Sequence, residues 1–307
     1  MIRILTFIIF YTFSVAVSFA QIKSEEILIK NNEIELPGTL TFTSEKTPLL
    51  IWIHGSGNVD RNGNQRPYVK ANYIKQFRDS VNQQGIAFFS YDKRTANQKN
   101  MPILKKGVLF DSFISDAQKV ISHFKNNKRF SEIILIGHSQ GSLIAMLASK
   151  KSNKYISLSG PSNSIDQKIV EQMRAKNPLI VNTLQEHFKE LKETGEIKNV
   201  DPTLVTMFNP QNTPFFKSWM KHNPSEEIKK LKIPVLIING TKDLQVTIED
   251  AKTLHKFSLK SELVIIENMN HVLKHIDKDD DNMKSYFSAD FPLSDKLIKT
   301  VVSFVKK

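Results

Sequence analysis

The sequence predicts an α/β fold with a mostly parallel β-sheet of about eight strands and helices on both of its faces. Short, continuous apolar runs such as residues 86–91 and 133–136 alternate along the chain with segments of helical periodicity. Strands buried on both faces have runs of this kind, and such sheets are usually parallel because helices connect their strands. The length of 307 residues, 40% of them hydrophobic, allows one large domain or two small ones.

Eight segments have the composition of strands. The first two are rich in β-branched residues and are joined by a turn at Asn31 and Asn32, which predicts an antiparallel pair at the edge of the sheet. The predicted strands are residues 26–30, 34–43, 48–53, 86–91, 133–136, 155–158, 234–238 and 263–266. The predicted helices are residues 69–84, 111–126 with Asp111 as the N-cap, 140–150, 248–257 and 294–306.

Residues 161–230 interrupt this alternation of strands and helices. The segment is helical in pattern and contains no strand-like run, so we expect a helical cap inserted over one end of the sheet, within a single domain of residues 21–307. Its aromatic residues leave two interpretations open, because they could line a mostly apolar substrate pocket or pack the cap onto the core. They are Phe208, Phe215, Phe216 and Trp219, with Met207 beside them.

Composition excludes several classes of protein. Without cysteine the chain has no disulfide, no thiolate nucleophile and no Cys-ligated metal. The net charge of +12 comes mostly from lysines spread over the whole length, without the basic stripe or module of a nucleic-acid-binding protein, so no nucleic-acid partner is predicted. The acidic run at residues 277–281 lacks the spaced ligands of a calcium loop, and we expect a solvated loop there.

The first twenty residues have the pattern of a secretory signal peptide. Arg3 supplies a positive charge, and residues 4–17 form an apolar run shorter than the ~20 residues of a membrane-spanning helix. Ser18 and Ala20 are small residues at the positions that precede a cleavage site. We expect cleavage before Gln21, export to the periplasm or the medium, and no stable membrane insertion afterwards. Retention of the segment as an uncleaved anchor is the alternative.

The strongest sign of function is the segment Gly137-His138-Ser139-Gln140-Gly141, which follows a predicted strand and precedes a predicted helix. It fits the G-x-S-x-G pattern of a nucleophile elbow, a sharp strand-to-helix turn that exposes the serine hydroxyl. Glycines flank such a turn because the backbone segments approach closely there. Ser139 is therefore the candidate nucleophile.

A serine hydroxyl needs a base to accept its proton and a carboxylate to orient that base. His271 is the first histidine after the last predicted strand, in a loop at the carboxyl edge of the sheet, and His275 is the competitor one helical turn later. Asp243 follows the predicted strand 234–238, so it belongs to the same edge. The order Ser139, Asp243, His271 is one of the chain orders in which such triads occur.

The charge that develops on a carbonyl oxygen during acyl transfer needs hydrogen-bond donors. The backbone N–H of Gln140, next to Ser139, is one expected donor. The second is expected from the loop after strand 48–53, where we favour the Ser56 N–H and keep that of Gly57 as the alternative. His54 in the same loop is interpreted as bracing the loop and not as a base.

Together these motifs resemble those of secreted bacterial α/β-hydrolases of the serine carboxylesterase and serine-aminopeptidase-like group. The similarity extends from about Leu28 to the C-terminus and is weakest across residues 161–230. Asn62 replaces an aspartate of the group's H-G-S-G-x-x-D-R-D-G pattern, and Thr95 replaces the glycine of its Y-D-K-R-G pattern. The matching pieces are His54-Gly-Ser-Gly57, Gly137-His-Ser-Gln-Gly141, Gly240-Thr-Lys-Asp243 and Asn270-His271.

The resemblance implies an α/β-hydrolase fold and a hydrolase that cleaves small or medium carboxylic esters through an acyl-enzyme, with no metal or cofactor. A serine peptidase that acts on amino termini or proline bonds uses the same residues and is the first alternative, and a thioesterase is a further variant. A non-catalytic binding protein is a remote alternative, because all three candidate triad residues are present. The expected partner is a small ester or peptide substrate.

Overall fold

In the computed structural model, which describes residues 21–307, eight strands form one sheet. The strands are β1 (Lys23–Asn31), β2 (Ile34–Phe42), β3 (Thr47–Ile53), β4 (Ala87–Tyr91), β5 (Phe130–His138), β6 (Lys154–Leu158), β7 (Val235–Gly240) and β8 (Ser261–Ile266). Their spatial order is β1-β2-β4-β3-β5-β6-β7-β8. The pairs β1/β2 and β2/β4 are antiparallel and the other pairs are parallel, which confirms the predicted α/β fold.

Helices connect the strands and cover the sheet. No helix within residues 21–307 is long and apolar enough to cross a bilayer. The predicted signal peptide, residues 1–20, lies outside the described residues. The helices are α1 (Tyr73–Gln83), α2 (Met101–Leu104), α3 (Phe110–Phe124), α4 (Gln140–Ala148), α5 (Ile165–Lys176), α6 (Val181–Thr194), α7 (Thr213–Trp219), α8 (Pro224–Ile228), α9 (Ile248–Phe257), α10 (Asp279–Ser285) and α11 (Asp295–Lys306).

Two apolar cores lie on opposite faces of the sheet. Leu49 and Ile51 of β3 belong to the core shared with α3, α4 and α9, whereas Leu50 and Trp52 belong to the core shared with α1 and α11. Successive side chains of a strand point to opposite faces, so a strand covered on both faces is hydrophobic throughout. This explains why the central strands are continuous apolar runs in the sequence.

The parallel strands bring their carboxyl ends to one edge of the sheet. Ile53 of β3 is in register with Gly137 of β5, and Gly240 of β7 is in register with Ile266 of β8. The loops that follow these four strands therefore meet at the same edge. Residues 161–230 contain α5 to α8 and have an apolar cluster of their own, while Trp219 and Ile228 join the core beneath α4.

Local predictions differ from the structure in three places. The helix expected from residue 69 begins at Tyr73, because residues 65 and 69 form an isolated bridge and Asn72 has a left-handed φ of 49°. Asp111 lies in the first turn of α3 and not at its N-cap. The acidic run, expected in a loop, supplies the first turn of α10, where the helix dipole favours carboxylates.

Candidate active site

The turn between β5 and α4 holds Ser139 in an uncommon backbone conformation. Its φ of 54° and ψ of −121° lie outside the regions that L-residues usually adopt. A Cβ atom on Gly137 would overlap the Gly141 carbonyl, and one on Gly141 would overlap the Ile53 carbonyl. Only glycine fits at these two positions, so the sequence pattern and the sharp turn have the same cause. Ser139 is half-buried at the apex of the turn.

Ser139 borders two cavities. The larger one, of about 550 Å³, extends from Ser139 to helices α5 and α7. The smaller one, of about 240 Å³, is lined by Ser139 and His271 together with Tyr73 and Tyr286. The candidate nucleophile and the candidate base thus share one cavity wall, and space is available on either side of the serine.

His271 and Asp243 form a buried pair at the carboxyl edge of the sheet. The Nδ1 atom of His271 lies 3.0 Å and 2.9 Å from the two carboxylate oxygens of Asp243, and the side chains are 5% and 0% exposed. Oδ1 of Asp243 also accepts hydrogen bonds from the N–H groups of Gln245 and Val246, at 2.8 Å and 2.9 Å. Burial opposes ionisation of this carboxyl, but His271 and these N–H groups outweigh it and lower the pKa of Asp243. The structure therefore brings together an oriented imidazole and an ionised carboxylate.

The competing histidine lies elsewhere. His275 is on the surface and bonds Asp277, with 3.0 Å between Nε2 and the carboxylate. It makes no hydrogen bond to Asp243 in the described part of the chain.

His138, in the elbow itself, holds the loop that carries His271. Its Nε2 lies 2.7 Å from the His271 carbonyl oxygen, and the two rings are 4.9 Å apart. Burial, reinforced by the charge of His271, lowers the pKa of His138 to about 3, so the ring is neutral. Because a carbonyl oxygen only accepts, Nε2 carries the proton and donates it in this hydrogen bond.

The expected oxyanion donors lie beside Ser139. A Cβ atom on Gly55 would be 3.3 Å from Ser139 Cβ, so the loop after β3 lies against the elbow. Ser56, Gly57 and Gln140 line the same large cavity as Ser139. The N–H groups of Ser56 and Gln140 make no hydrogen bond to any described residue, and that of Gln140 is at the first position of α4, where helices leave donors unpaired.

His54, in the same loop, is buried. Its buried ring lies edge-on to Tyr91, with 5.1 Å between the ring centroids. Neither ring nitrogen has a hydrogen-bond partner within residues 21–307. Burial, with a contribution from the charge of Lys93, lowers the pKa of His54 to about 3, so the ring is neutral.

The aromatic residues of α7 belong to both interpretations of this segment. Phe215, Phe216 and Trp219 line the larger cavity, and Trp219 also stacks on Phe110 with 5.0 Å between the ring centroids. Phe208, expected with them in the pocket, does not line either cavity. It is 2% exposed and packs inside the apolar cluster of residues 161–230.

Sequence reasoning missed Lys93, which is buried beside the candidate oxyanion donors, and Lys168, which lines the larger cavity. The only signal for Lys93 was its place in the Y-D-K-R stretch. The turn there closes by a 2.7 Å bond from the Ala96 N–H to the Lys93 carbonyl, and Thr95 has no positive φ, so a glycine is not needed.

Two ion pairs connect the residues of these motifs to other parts of the fold. Arg61 bonds Asp92 through two nitrogens at 2.9 Å and 3.0 Å, and Arg94 bonds Asp116 through two nitrogens at 2.7 Å. Within residues 21–307, no three His, Asp or Glu side chains are arranged to hold a metal ion.

An eight-stranded sheet of this order, with a serine elbow after β5, is the architecture of the α/β-hydrolases, and solved structures of that fold are similar to this chain. The chain belongs to the BD-FAE family of α/β-hydrolase esterases, whose sequence profile matches residues 36–257.

Individual proteins are similar to this chain in sequence or in fold. The chain is 24% identical over 245 residues to the esterase EstD of Thermotoga maritima, covering 78% of this chain and 58% of that protein. It is similar in fold to Est1E of Butyrivibrio proteoclasticus, with a TM-score of 0.56 and 20% identity over 92% of this chain and 96% of that one. The esterase EaEST of Exiguobacterium antarcticum gives a TM-score of 0.55 and 17% identity, over 91% and 99% of the two chains.

Proposed function

We propose that this protein is a serine esterase that cleaves small or medium carboxylic esters through an acyl-enzyme. The observation that carries the proposal is the buried His271–Asp243 pair, which borders the same cavity as Ser139 in its strained elbow. The Ser139 hydroxyl attacks the ester carbonyl while His271 takes its proton, and Asp243 orients the imidazole and stabilises its charged form. His271 then protonates the departing alcohol. In the second half of the reaction, His271 takes a proton from water as the water attacks the acyl-enzyme, and it returns this proton to the Ser139 oxygen as the acid leaves.

The tetrahedral intermediate carries its negative charge on the former carbonyl oxygen. The N–H groups of Gln140 and Ser56, which have no acceptor among the described residues, are the donors that we assign to this oxygen. Such preorganised donors stabilise the transition state more than the ester, because the ester oxygen carries less charge.

The acyl group that we propose for the larger cavity is aromatic. Its volume of about 550 Å³ is in the range of small-molecule sites, and its wall combines aromatic side chains with amide groups. A structure of Est1E contains bound ferulic acid, a substituted aromatic acid, and that chain is 20% identical to this one. The lining residues that favour such a group are Phe113, Phe215, Phe216 and Trp219, with Gln172, Gln211 and Asn212 as hydrogen-bonding groups.

The test is hydrolysis of nitrophenyl esters by the wild-type chain and by Ser139→Ala. We expect a burst of nitrophenol from the wild type, and a loss of at least about 10³-fold in kcat when the nucleophile is absent. Ser131→Ala, an exposed serine on the same strand, is the matched control and should keep wild-type activity. An unchanged rate in Ser139→Ala would refute the mechanism.

The cap and the export signal are two further parts of the proposal. The separate apolar cluster of residues 161–230, and their place over the larger cavity, support a role as a cap that selects substrates. The apolar run of residues 4–17 and the small residues before Gln21 support export of the chain.

A further inference from the structure

Lys93 is a buried cation beside the proposed oxyanion donors. It is 5% exposed and lies in the loop after β4, on the wall of the larger cavity. Its Nζ donates hydrogen bonds to the Gly55 carbonyl oxygen at 2.7 Å and to Oε1 of Gln140 at 2.8 Å, and it lies 4.5 Å from the ring centroid of Phe113. A buried lysine is costly, so a site that retains one without a directly bonded carboxylate has another use for it.

The hydrogen bond from Lys93 to the Gly55 carbonyl oxygen bears on the Ser56 N–H, the first proposed oxyanion donor. The Gly55 carbonyl and the Ser56 N–H belong to the same planar peptide unit, in which the two groups point in opposite directions. Lys93 holds the carbonyl end of this unit and so fixes the direction of the Ser56 N–H. A hydrogen bond at the carbonyl also polarises the peptide, and such cooperativity strengthens the N–H as a donor.

The hydrogen bond from Lys93 to Oε1 of Gln140 bears on the N–H of the same residue, the second proposed oxyanion donor. Gln140 lies at the start of α4, where its N–H has no acceptor among residues 21–307, and its side chain is buried with Lys93. The bond from Lys93 to Oε1 ties this helix start to the loop of Gly55. One ammonium group therefore connects the two backbone segments that must converge on a single oxygen.

We propose that Lys93 is a positioning residue of the oxyanion hole, which holds the Ser56 and Gln140 N–H groups at the spacing that the tetrahedral intermediate requires. The inference rests on the proposed esterase function. It predicts that Lys93 affects the transition state much more than the bound ester, because the uncharged ester oxygen depends less on these donors.

The charge of Lys93 adds to this effect but is not needed for it. Burial lowers the pKa of Lys93 to about 7, with Asp116 opposing the shift. A neutral amine retains two N–H groups, enough for both hydrogen bonds. Asp116 is itself bonded to Arg94, and no carboxylate within residues 21–307 forms an ion pair with Lys93.

The experiment compares Lys93→Met with the wild type on nitrophenyl butyrate. We expect kcat to fall about 10- to 100-fold while KM stays within threefold of the wild-type value. This fall in kcat is smaller than the fall caused by losing a direct oxyanion donor. Binding of a trifluoromethyl ketone, which forms a tetrahedral adduct with serine, should weaken by the same factor, whereas binding of the matching amide should not change. Lys154→Met is the matched control, because Lys154 bonds the Val305 carbonyl at the far end of β6 from Ser139.

A second variant covers the case in which Lys93→Met does not fold. Gln140→Leu removes one acceptor and leaves the lysine in place, and we expect a fall in kcat of the same kind. In the double variant the two losses should be less than additive, because both remove one connection. A kcat of Lys93→Met within threefold of the wild type, or a rise in KM alone, would overturn the inference and leave the esterase proposal intact. A wild-type chain without esterase activity would overturn both.

Discussion

At the residue scale, the most constrained side chain of the site is Asp243, whose two oxygens have different tasks. Oδ1 closes the loop after β7 by accepting two backbone hydrogen bonds, and both oxygens are within hydrogen-bond distance of His271 Nδ1. The loop and the base are therefore positioned by one carboxylate. This separates a structural role, which an amide oxygen can take over, from an electrostatic role, which it cannot.

Asp243→Asn is expected to keep the fold and lose the activity. The asparagine Oδ1 can still accept the bonds from Gln245 and Val246, but its amide group cannot stabilise an imidazolium and favours the wrong tautomer. In serine proteases the equivalent change lowers kcat by about 10⁴, and we expect a fall of about 10³ to 10⁴ here. Steady-state kinetics with a nitrophenyl ester, beside thermal unfolding, would measure both roles. Activity within tenfold of the wild type would contradict the assignment.

Candidate site residues with local motifs could be proposed from sequence, and residues whose partners are distant in sequence could not. Ser139 has a five-residue pattern with a physical cause, and Asp243 and His271 follow strands whose carboxyl ends meet at one edge. Lys93 acts on Gly55 and Gln140, residues 38 and 47 positions away, and no spacing in the sequence reports such contacts. Phe208 was wrongly expected in the pocket because residues near it in sequence line the cavity. The Phe208 side chain itself packs in the apolar cluster of residues 161–230.

At the element scale, Asp250 joins the helical segment to the sheet domain. It is 2% exposed at the third position of α9, where it closes a capping box with Thr247. The same carboxylate accepts bonds from the N–H and hydroxyl of Ser162, both at 2.9 Å, and from Lys168 of α5 at 2.8 Å. One side chain therefore caps a helix of the sheet domain and anchors the first helix that follows β6.

Asp250→Asn is expected to destabilise the protein by about 3–5 kcal/mol, the usual cost of breaking a buried ion pair from one side. The buried ammonium of Lys168 would keep only Glu171, at 2.5 Å, as its carboxylate partner. Urea unfolding of the two proteins measures the difference. Glu249→Gln is the matched control, since that carboxylate lies in the same helical turn and is exposed, and it should shift stability by less than about 1 kcal/mol. Equal stability of Asp250→Asn and wild type would refute the anchoring role.

The same pair predicts a pH dependence of its own. Burial opposes ionisation of Asp250, but Lys168 and Ser162 outweigh it, so the pKa of Asp250 lies below its ordinary value of 3.8. The folded state then binds fewer protons than the unfolded state, and the stabilisation is complete above that ordinary value and is lost as the pH falls through the lower folded value. The stability difference between wild type and Asp250→Asn should accordingly be constant near neutral pH and shrink below about pH 4.

The order of strands and helices could be predicted from sequence better than the residues at which they begin and end. The central strands could be predicted from hydrophobic runs, because most positions of a strand that is covered on both faces are apolar. The start of α1 depends instead on a bridge between residues 65 and 69 and on the left-handed Asn72, neither of which is encoded in helical periodicity. The role of Asp250 was also hidden, since an aspartate in a first helical turn usually only caps its own helix.

At the scale of the whole molecule, the charge near the site matters more than the net charge of +12. Exposed charges are screened beyond about 8 Å at physiological ionic strength, so the scattered lysines contribute little inside the cavity. The cavity wall itself carries Lys93 and Lys168, and none of the described residues that line it is an aspartate or glutamate. Asp250 and Glu171, the nearest carboxylates of Lys168, are already bonded to that lysine.

This lining predicts a preference against substrates with a free amino group, which separates an esterase from an aminopeptidase. Methyl 3-phenylpropionate and phenylalanine methyl ester differ only in an α-ammonium group, which would enter a cavity that offers it no carboxylate. We expect at least a tenfold higher kcat/KM for the first ester at neutral pH, because the ammonium group would lose water without gaining a carboxylate partner, and tenfold corresponds to about 1.4 kcal/mol. Methyl 2-hydroxy-3-phenylpropionate, equal in size and uncharged, is the control and should resemble the first. A preference for the ammonium ester, measured by pH-stat titration, would favour the peptidase.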